Sequence, residues 1–194
     1  MGELSGLKFD PDLMTQAKND PGAFTRLYLG HYDAVFGYCI HRLFDRTTAE
    51  DITSEVFLRM VESFQKFEGD ERMFRNWLYR IATNAVNQHL RKTTRRNAIL
   101  AWVRQWSDKD NASEEPHPDE SKGNTNIVKN AMLKLKPQYQ AIVTMRFFEN
   151  LKTEEIAEVF GTSAGTVRSQ LSRAIANLRK LITSAQINGQ EATI

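Results

Sequence analysis

Residues 107–124 read SDKDNASEEPHPDESKGN, a run with two prolines, six acids and no core-forming side chain. A stretch of this composition cannot bury enough apolar area to offset the entropy of ordering it. It splits the 194-residue chain into two parts, and each part has to build a core from its own residues. The expectation is two small domains joined by a flexible linker over residues 97–126.

Both parts carry helical periodicity. In the first, apolar residues recur as Phe24, Leu27, Tyr28, Tyr32, Val35, Phe36 and Cys39, then Ile52, Val56, Phe57, Met60 and Phe64, then Phe74, Trp77, Leu78, Ile81, Ala85 and Leu90. Breaks fall at residues 44–48 and 67–71, and Thr47 or Thr48 is the expected cap of the helix between them. In the second part, Ile142, Val143, Met145, Leu151, Ile156, Ala157 and Val159 form a compact apolar set, followed by a stripe of Val167, Leu171, Ala174, Leu178 and Leu181. Nothing alternates as a strand does, so the fold class is all-α. The expected organisation is an N-terminal extension (1–20), a helical bundle (21–96), the linker, a second helical domain (127–184) and an unpatterned tail (185–194). Apolar residues Leu100, Trp102, Val103 and Trp106 allow the last helix of the first part to continue toward 106.

Charge is segregated. Residues 1–71 carry net −6, residues 72–104 net +8 with no acid at all, residues 105–121 net −5, and residues 122–194 net +5. Two separate basic blocks point to two places where a polyanion docks. No apolar run approaches the roughly 20 residues of a membrane helix, and the N-terminus lacks the pattern of a secretory signal. A single cysteine, Cys39, allows no internal disulfide and suits a reducing cytoplasm.

The segment TEEIAEVFGTSAGTVRSQL, residues 153–171, has the grammar of a helix-turn-helix. Thr153 is the expected first cap, Glu154 and Glu155 suit a positive helix end, and Ala157 is small where a second helix must cross. Gly161 supplies a left-handed stop, and Ser163 caps the second helix. Val167 and Leu171 then face inward, leaving Thr166, Arg168, Ser169, Ser172 and Arg173 outward on a helix without acids. Such a helix fits the DNA major groove, where arginine bonds guanine edges in bidentate fashion. The first basic block lies on another helix, where Asn76, Tyr79, Arg80, Thr83, Asn84 and Asn87 precede Arg91, Lys92, Arg95 and Arg96. Aromatics, amides and cations on one helix suit unstacked bases and their backbone.

Together, and in this order, the two segments resemble the extracytoplasmic-function (ECF) sigma factors of the sigma-70 family. The first part is similar to sigma domain 2, through Ala49-Glu50-Asp51-Ile52, Glu55-Val56-Phe57-Leu58 and Trp77-Leu78-Tyr79-Arg80-Ile81-Ala82-Thr83-Asn84. The second is similar to sigma domain 4, through Leu135-Lys136-Pro137, Glu155-Ile156-Ala157 and Gly165-Thr166-Val167-Arg168-Ser169. Domains 1.1 and 3 of housekeeping sigma factors have no counterpart. The resemblance implies a transcription initiation factor. Its partners would be bacterial core RNA polymerase (the β′ clamp helices and the β flap), promoter DNA and an anti-sigma factor.

Carried over by position, Asp51, Glu55 and Arg59 dock on the polymerase. Phe67, Asp70, Asn76, Tyr79, Arg80, Thr83, Asn84, Asn87, Arg91, Lys92, Arg95 and Arg96 engage the −10 element. Thr166, Arg168, Ser169, Ser172 and Arg173 read the −35 element, and the acidic linker threads toward the polymerase channels. The chain departs from the family's common residues at Ser54, Gln88, Gln170 and Ile175. A helix-turn-helix alone also fits a conventional regulator, such as a LuxR-type output domain on a helical effector domain, but such a regulator has no use for the pattern in residues 49–96. An enzyme is not expected: the four histidines, His31, His41, His89 and His117, are scattered, and no phosphate loop, nucleophile elbow or metal-ligand pair occurs. No cofactor and no metal are expected, and the protein is not expected to be membrane-embedded.

Overall fold

The computed structural model describes residues 12–107 and 123–191. Among them are eight helices: α1 (Leu13–Gln16), α2 (Pro21–Leu43), α3 (Arg46–Phe64), α4 (Glu71–Ser107), α5 (Gly123–Lys134), α6 (Pro137–Phe147), α7 (Thr153–Phe160) and α8 (Ala164–Glu191). The described residues contain no strand.

Local chemistry explains where the helices start and stop. Asp20 accepts from the Gly22 and Ala23 N–H groups at 3.0 Å each, and Pro21 opens α2 with a pre-set φ. The left-handed Phe44, φ 54°, ends that helix, its N–H reaching the Ile40 carbonyl. The cap of α3 is neither Thr47 nor Thr48: Asp45 accepts from the Thr48 N–H at 2.8 Å, and the helix begins at Arg46. A carboxylate placed three residues earlier reaches the same orphan donor and also favours the positive helix end. Asp70 does the same for α4, accepting from Met73 N–H at 2.7 Å. Thr153 likewise does not cap α7. Its hydroxyl turns to Glu154, and the Glu155 carboxylate reaches back to the Lys152 N–H at 2.7 Å. Gly161 ends α7 at φ 62°, and Ser163 Oγ caps α8 through the Thr166 N–H at 3.1 Å, both as expected.

Helices α2, α3 and α4 form a three-helix bundle around Leu27, Val35, Tyr38, Cys39, Val56, Met60, Phe64, Phe74 and Leu78, all buried. Its aromatic end is a run of edge contacts, Phe24 on Phe64 and Phe64 on Phe74, with Phe67 tilted over Trp77. Helix α1 closes that end, burying Met14, so part of the N-terminal extension belongs to this bundle. In the second domain α5, α6 and α7 gather on α8, where Met132, Leu135, Val143 and Ala174 pack together. Residues 97–107 continue α4 and 123–126 begin α5; the remainder of the expected linker, 108–122, lies outside the described residues. Helix α8 runs past Ser184 into the stretch expected as an unpatterned tail.

The two domains are not separate beads. Met145, Leu151, Ile156, Val159 and Val167 of the second belong to the same buried cluster as the bundle of the first. Helix α7 lies on α4, and α6 on α2.

Candidate nucleic-acid interface

Three surfaces and one seam carry the candidate residues. On α8, Thr166, Arg168, Ser169, Ser172 and Arg173 are all exposed. Val167 and Ala174 are fully buried on the opposite side, which fixes the rotation of the helix. Arg168 approaches Glu154 at 3.5 Å, with both side chains mostly in solvent, so the guanidinium is free to exchange that partner. Gln170, one of the departures, accepts from Gln138 at 3.1 Å and ties α8 to α6.

On α3, Asp51 is exposed, and Glu55 pairs with Arg59 one turn later at 2.5 Å. Arg59 also reaches Gln88 on α4 at 3.3 Å, while the Ser54 hydroxyl bonds back to the Glu50 carbonyl. Beside them Leu58 and Val61 stand 60% and 51% exposed. Periodicity alone does not single out either of them. The signal that finds them is the mismatch between a large apolar side chain and the solvent face of an amphipathic helix.

The distal half of the basic helix is open. Arg91, Lys92, Arg95 and Arg96 are exposed, and Asn84, Gln88, Arg91, Lys92 and Arg95 line one shallow cationic groove. The proximal half is covered. Asn76 and Tyr79 are 5% and 3% exposed, and their partners come from the other domain. Asn76 Nδ2 donates to Glu158 at 2.7 Å, and the Tyr79 hydroxyl donates to Glu149 at 3.0 Å. Arg72 pairs with Glu158 at 3.0 Å, and Arg75 with Glu155. Arg80 donates to the Val159 and Glu158 carbonyls at 3.0 and 2.6 Å, satisfying the negative end of α7. Thr83 is buried against Tyr38 at 2.8 Å, and Asn87 accepts from Arg42 at 2.8 Å.

Beside this seam Phe67, Met73, Asn76, Trp77 and Arg80 line a cleft of about 400 Å³ that Glu158 borders from across the seam. Asp70, another candidate, is engaged as the α4 cap. Gly69, φ 145°, turns the preceding loop where a Cβ would lie 3.0 Å from Met73 Cβ, so that loop is closely fitted to the cleft wall.

Burial tunes the titratable groups of the seam. Glu149 is pushed up to about 7, chiefly by desolvation and opposed by the Tyr79 hydrogen bond. Tyr79 is raised by desolvation and by the Glu149 charge. His41, 3.6 Å from Glu149, is lowered by burial. Cys39 is fully buried, and desolvation pushes its thiol up to about 11, consistent with a packing role. Among the described residues no group of acids, histidines or cysteines is arranged to hold a metal, and no helix is long and apolar enough to cross a membrane.

Known families account for both halves of this arrangement. Residues 27–96 match the family described as Sigma-70 region 2, and residues 125–178 match Sigma-70, region 4. The chain is 34% identical over 160 residues to the ECF RNA polymerase sigma factor BldN of Streptomyces coelicolor, covering 82% of this chain and 60% of that protein. It is 30% identical over 164 residues to the RNA polymerase sigma-H factor of Pseudomonas aeruginosa, covering 81% and 84%. It is 27% identical over 170 residues to the ECF sigma factor SigW of Bacillus subtilis, covering 84% and 90%. Its fold is shared with CnrH, solved with the cytosolic domain of CnrY (TM-score 0.66, 20% identity, 89% of this chain and 96% of that one). It is also shared with the sigma factor RpoE of Bartonella quintana, solved with the anti-sigma factor NepR (TM-score 0.60, 20% identity, 82% and 96%). Two region matches in the expected order and relatives of that name place this chain in the sigma-70 family, as an RNA polymerase sigma factor of the ECF type.

Proposed function

We propose that the chain directs core RNA polymerase to promoters by reading two DNA elements with two helices. Helix α8 reads the −35 element in the major groove through Thr166, Arg168, Ser169, Ser172 and Arg173. The proximal half of α4, with Phe67 and Asp70, holds a flipped base of the −10 element; the flipping costs a few kcal/mol that binding must return. Arg91, Lys92, Arg95 and Arg96 hold the adjoining phosphates. Asp51, Glu55 and Arg59, with Leu58 and Val61 beside them, dock on the β′ clamp helices, and the second domain engages the β flap. The chain adds no catalysis of its own, acts in the cytoplasm and is not embedded in a membrane. Relatives of the same fold are solved with the anti-sigma factor NepR and with CnrY, which supports an anti-sigma partner here as well.

The observation that carries the reading is the exposed, acid-free outer face of α8 between Ala164 and Gln186. A duplex-reading helix needs such a face, and a purely structural helix of a small domain does not. Transcription in vitro with purified core polymerase on a promoter library tests it. Transcripts dependent on this chain, from promoters sharing two sequence blocks at fixed spacing, are expected. Absence of any affinity for the core enzyme would overturn the reading.

A further inference from the structure

We infer that the free chain binds a nucleoside di- or triphosphate at its domain seam, with the base in a crevice between α4 and the second domain and the phosphates on the cationic groove beside it.

Two hollows adjoin on α4. Asn84 and Asn87 face Gln138 of α6, and Phe160 and Gly161 at the end of α7, across a crevice of about 490 Å³. Asn84 also opens the groove of about 460 Å³ that continues along Gln88, Arg91, Lys92 and Arg95. Positions 84, 88, 91 and 95 fall on one face of the helix, so the two hollows share a continuous floor. From Asn84 to Arg91 the helix rises about 10 Å, a span that an extended nucleoside triphosphate covers from base to terminal phosphate. Hollows of this size are typical of small-molecule sites, which favour domain boundaries.

Each hollow suits a different part of the ligand. Neither lining contains an acid, and Arg91, Lys92 and Arg95 converge on the groove as a polyphosphate requires. The crevice offers amides whose orientation their neighbours set. Asn87 Oδ1 accepts from Arg42 at 2.8 Å, which turns Nδ2 toward a ligand acceptor. Gln138 Nε2 donates to Gln170 at 3.1 Å, which leaves Oε1 to accept. Asn84 is exposed and presents both kinds of group. Donors and acceptors side by side match the edge of a base, and Phe160 supplies a ring face for stacking. A bare polyphosphate has no use for that ring, and a free base has no use for three cations. The walls of the crevice come from both domains, so the site is whole only while they touch, and a ligand on both walls favours that arrangement by mass action. Binding of this kind needs neither polymerase nor promoter.

Calorimetric titration of the full chain with ATP, GTP and inorganic tripolyphosphate tests the site. ATP or GTP is expected to bind one per chain, about tenfold or more tighter than tripolyphosphate, the difference being the base against Phe160 and the amides. Arg95→Glu should weaken nucleotide and tripolyphosphate alike. Gln138→Ala, exposed and on the second domain, should weaken the nucleotide several-fold and leave tripolyphosphate unchanged. The nucleotide should also raise the melting temperature more than tripolyphosphate does at equal concentration. Equal affinity for both nucleotides and tripolyphosphate overturns the site, leaving only an anion track on α4. Absence of saturable binding overturns it too, as does nucleotide affinity indifferent to Gln138→Ala.

Discussion

Arg42 and Gln140, 98 residues apart in sequence, exchange two hydrogen bonds across the domain seam: Arg42 Nε donates to Gln140 Oε1 at 3.3 Å, and Gln140 Nε2 donates to the Arg42 carbonyl at 2.9 Å. Both side chains are buried, Arg42 completely. The guanidinium is further satisfied by Tyr38, Asn87 and the Pro137 carbonyl, with no carboxylate among these partners. Oxygen dipoles rather than a counter-charge hold this cation, so each acceptor matters. Arg42→Ala leaves Gln140 Oε1 and Asn87 Oδ1 without the guanidinium in a buried seam and is expected to lower the unfolding free energy by about 2–4 kcal/mol. Gln140→Ala is expected to cost about 1–3 kcal/mol. Urea denaturation of the two variants beside the parent chain measures both.

Stability is expected to depend on pH through Glu149. Its carboxyl is raised from the usual 4.5 to about 7 in the folded chain, because burial disfavours the charged form. The groups facing it are the Tyr79 phenol on α4 and the His41 imidazole on α2, whose own pKa is lowered by burial. A folded pKa above the unfolded one means the contribution is fully present below about pH 4.5 and is lost as pH rises toward 7. Within that window the slope is about 1.4 kcal/mol per pH unit for one proton. Glu149→Gln is neutral at every pH. It is therefore expected to abolish that slope and to leave the chain more stable than the parent at pH 8. Denaturation midpoints across pH 5–8 check the sign.

Leu58 is expected to act on polymerase binding and not on folding. At 60% exposed it adds little to the core of the bundle, but buried at a clamp contact it would contribute about 1.5–3 kcal/mol. Leu58→Ala should weaken core binding by that amount in a titration with labelled protein, with an unchanged melting temperature.

Arg168 separates two kinds of DNA contact. If its guanidinium reads a base edge, Arg168→Ala should relax preference at one position of the −35 block by about 1–3 kcal/mol. If it holds a phosphate, binding should weaken evenly over all sequences and the salt dependence should flatten. Competitive transcription from promoters randomised in that block distinguishes the two. The ion pair with Glu154 is too exposed to mask either result.

Much of this molecule follows from local chemistry and is legible in the chain itself. The helix-turn-helix is one case: a left-handed Gly161, a capping Ser163 and an inward Val167 stand where their residue types require. The caps of α3 and α7 lie a residue or more from the threonines that residue type alone favours. Several neighbouring side chains and backbone groups compete for the same orphan N–H, and only geometry selects Asp45 over Thr47 and the Glu155 carboxylate over Thr153. The −10 residues show a deeper limit. Composition marks Asn76, Tyr79 and Arg80 as groups able to hold nucleic acid, and nothing local says that protein holds them first.

Periodicity, glycine placement and segregated charge thus decided on their own that the chain is helical, that it has two parts, and that each part carries a cationic helix. Those properties depend on residues within a few positions of one another. Whether the two parts touch was decided only in three dimensions. The contacts of Arg42 with Gln140, and of Asn76 with Glu158, join positions 98 and 82 residues apart. Their strength comes from water being excluded where two surfaces meet, a quantity that no single segment of the sequence contains.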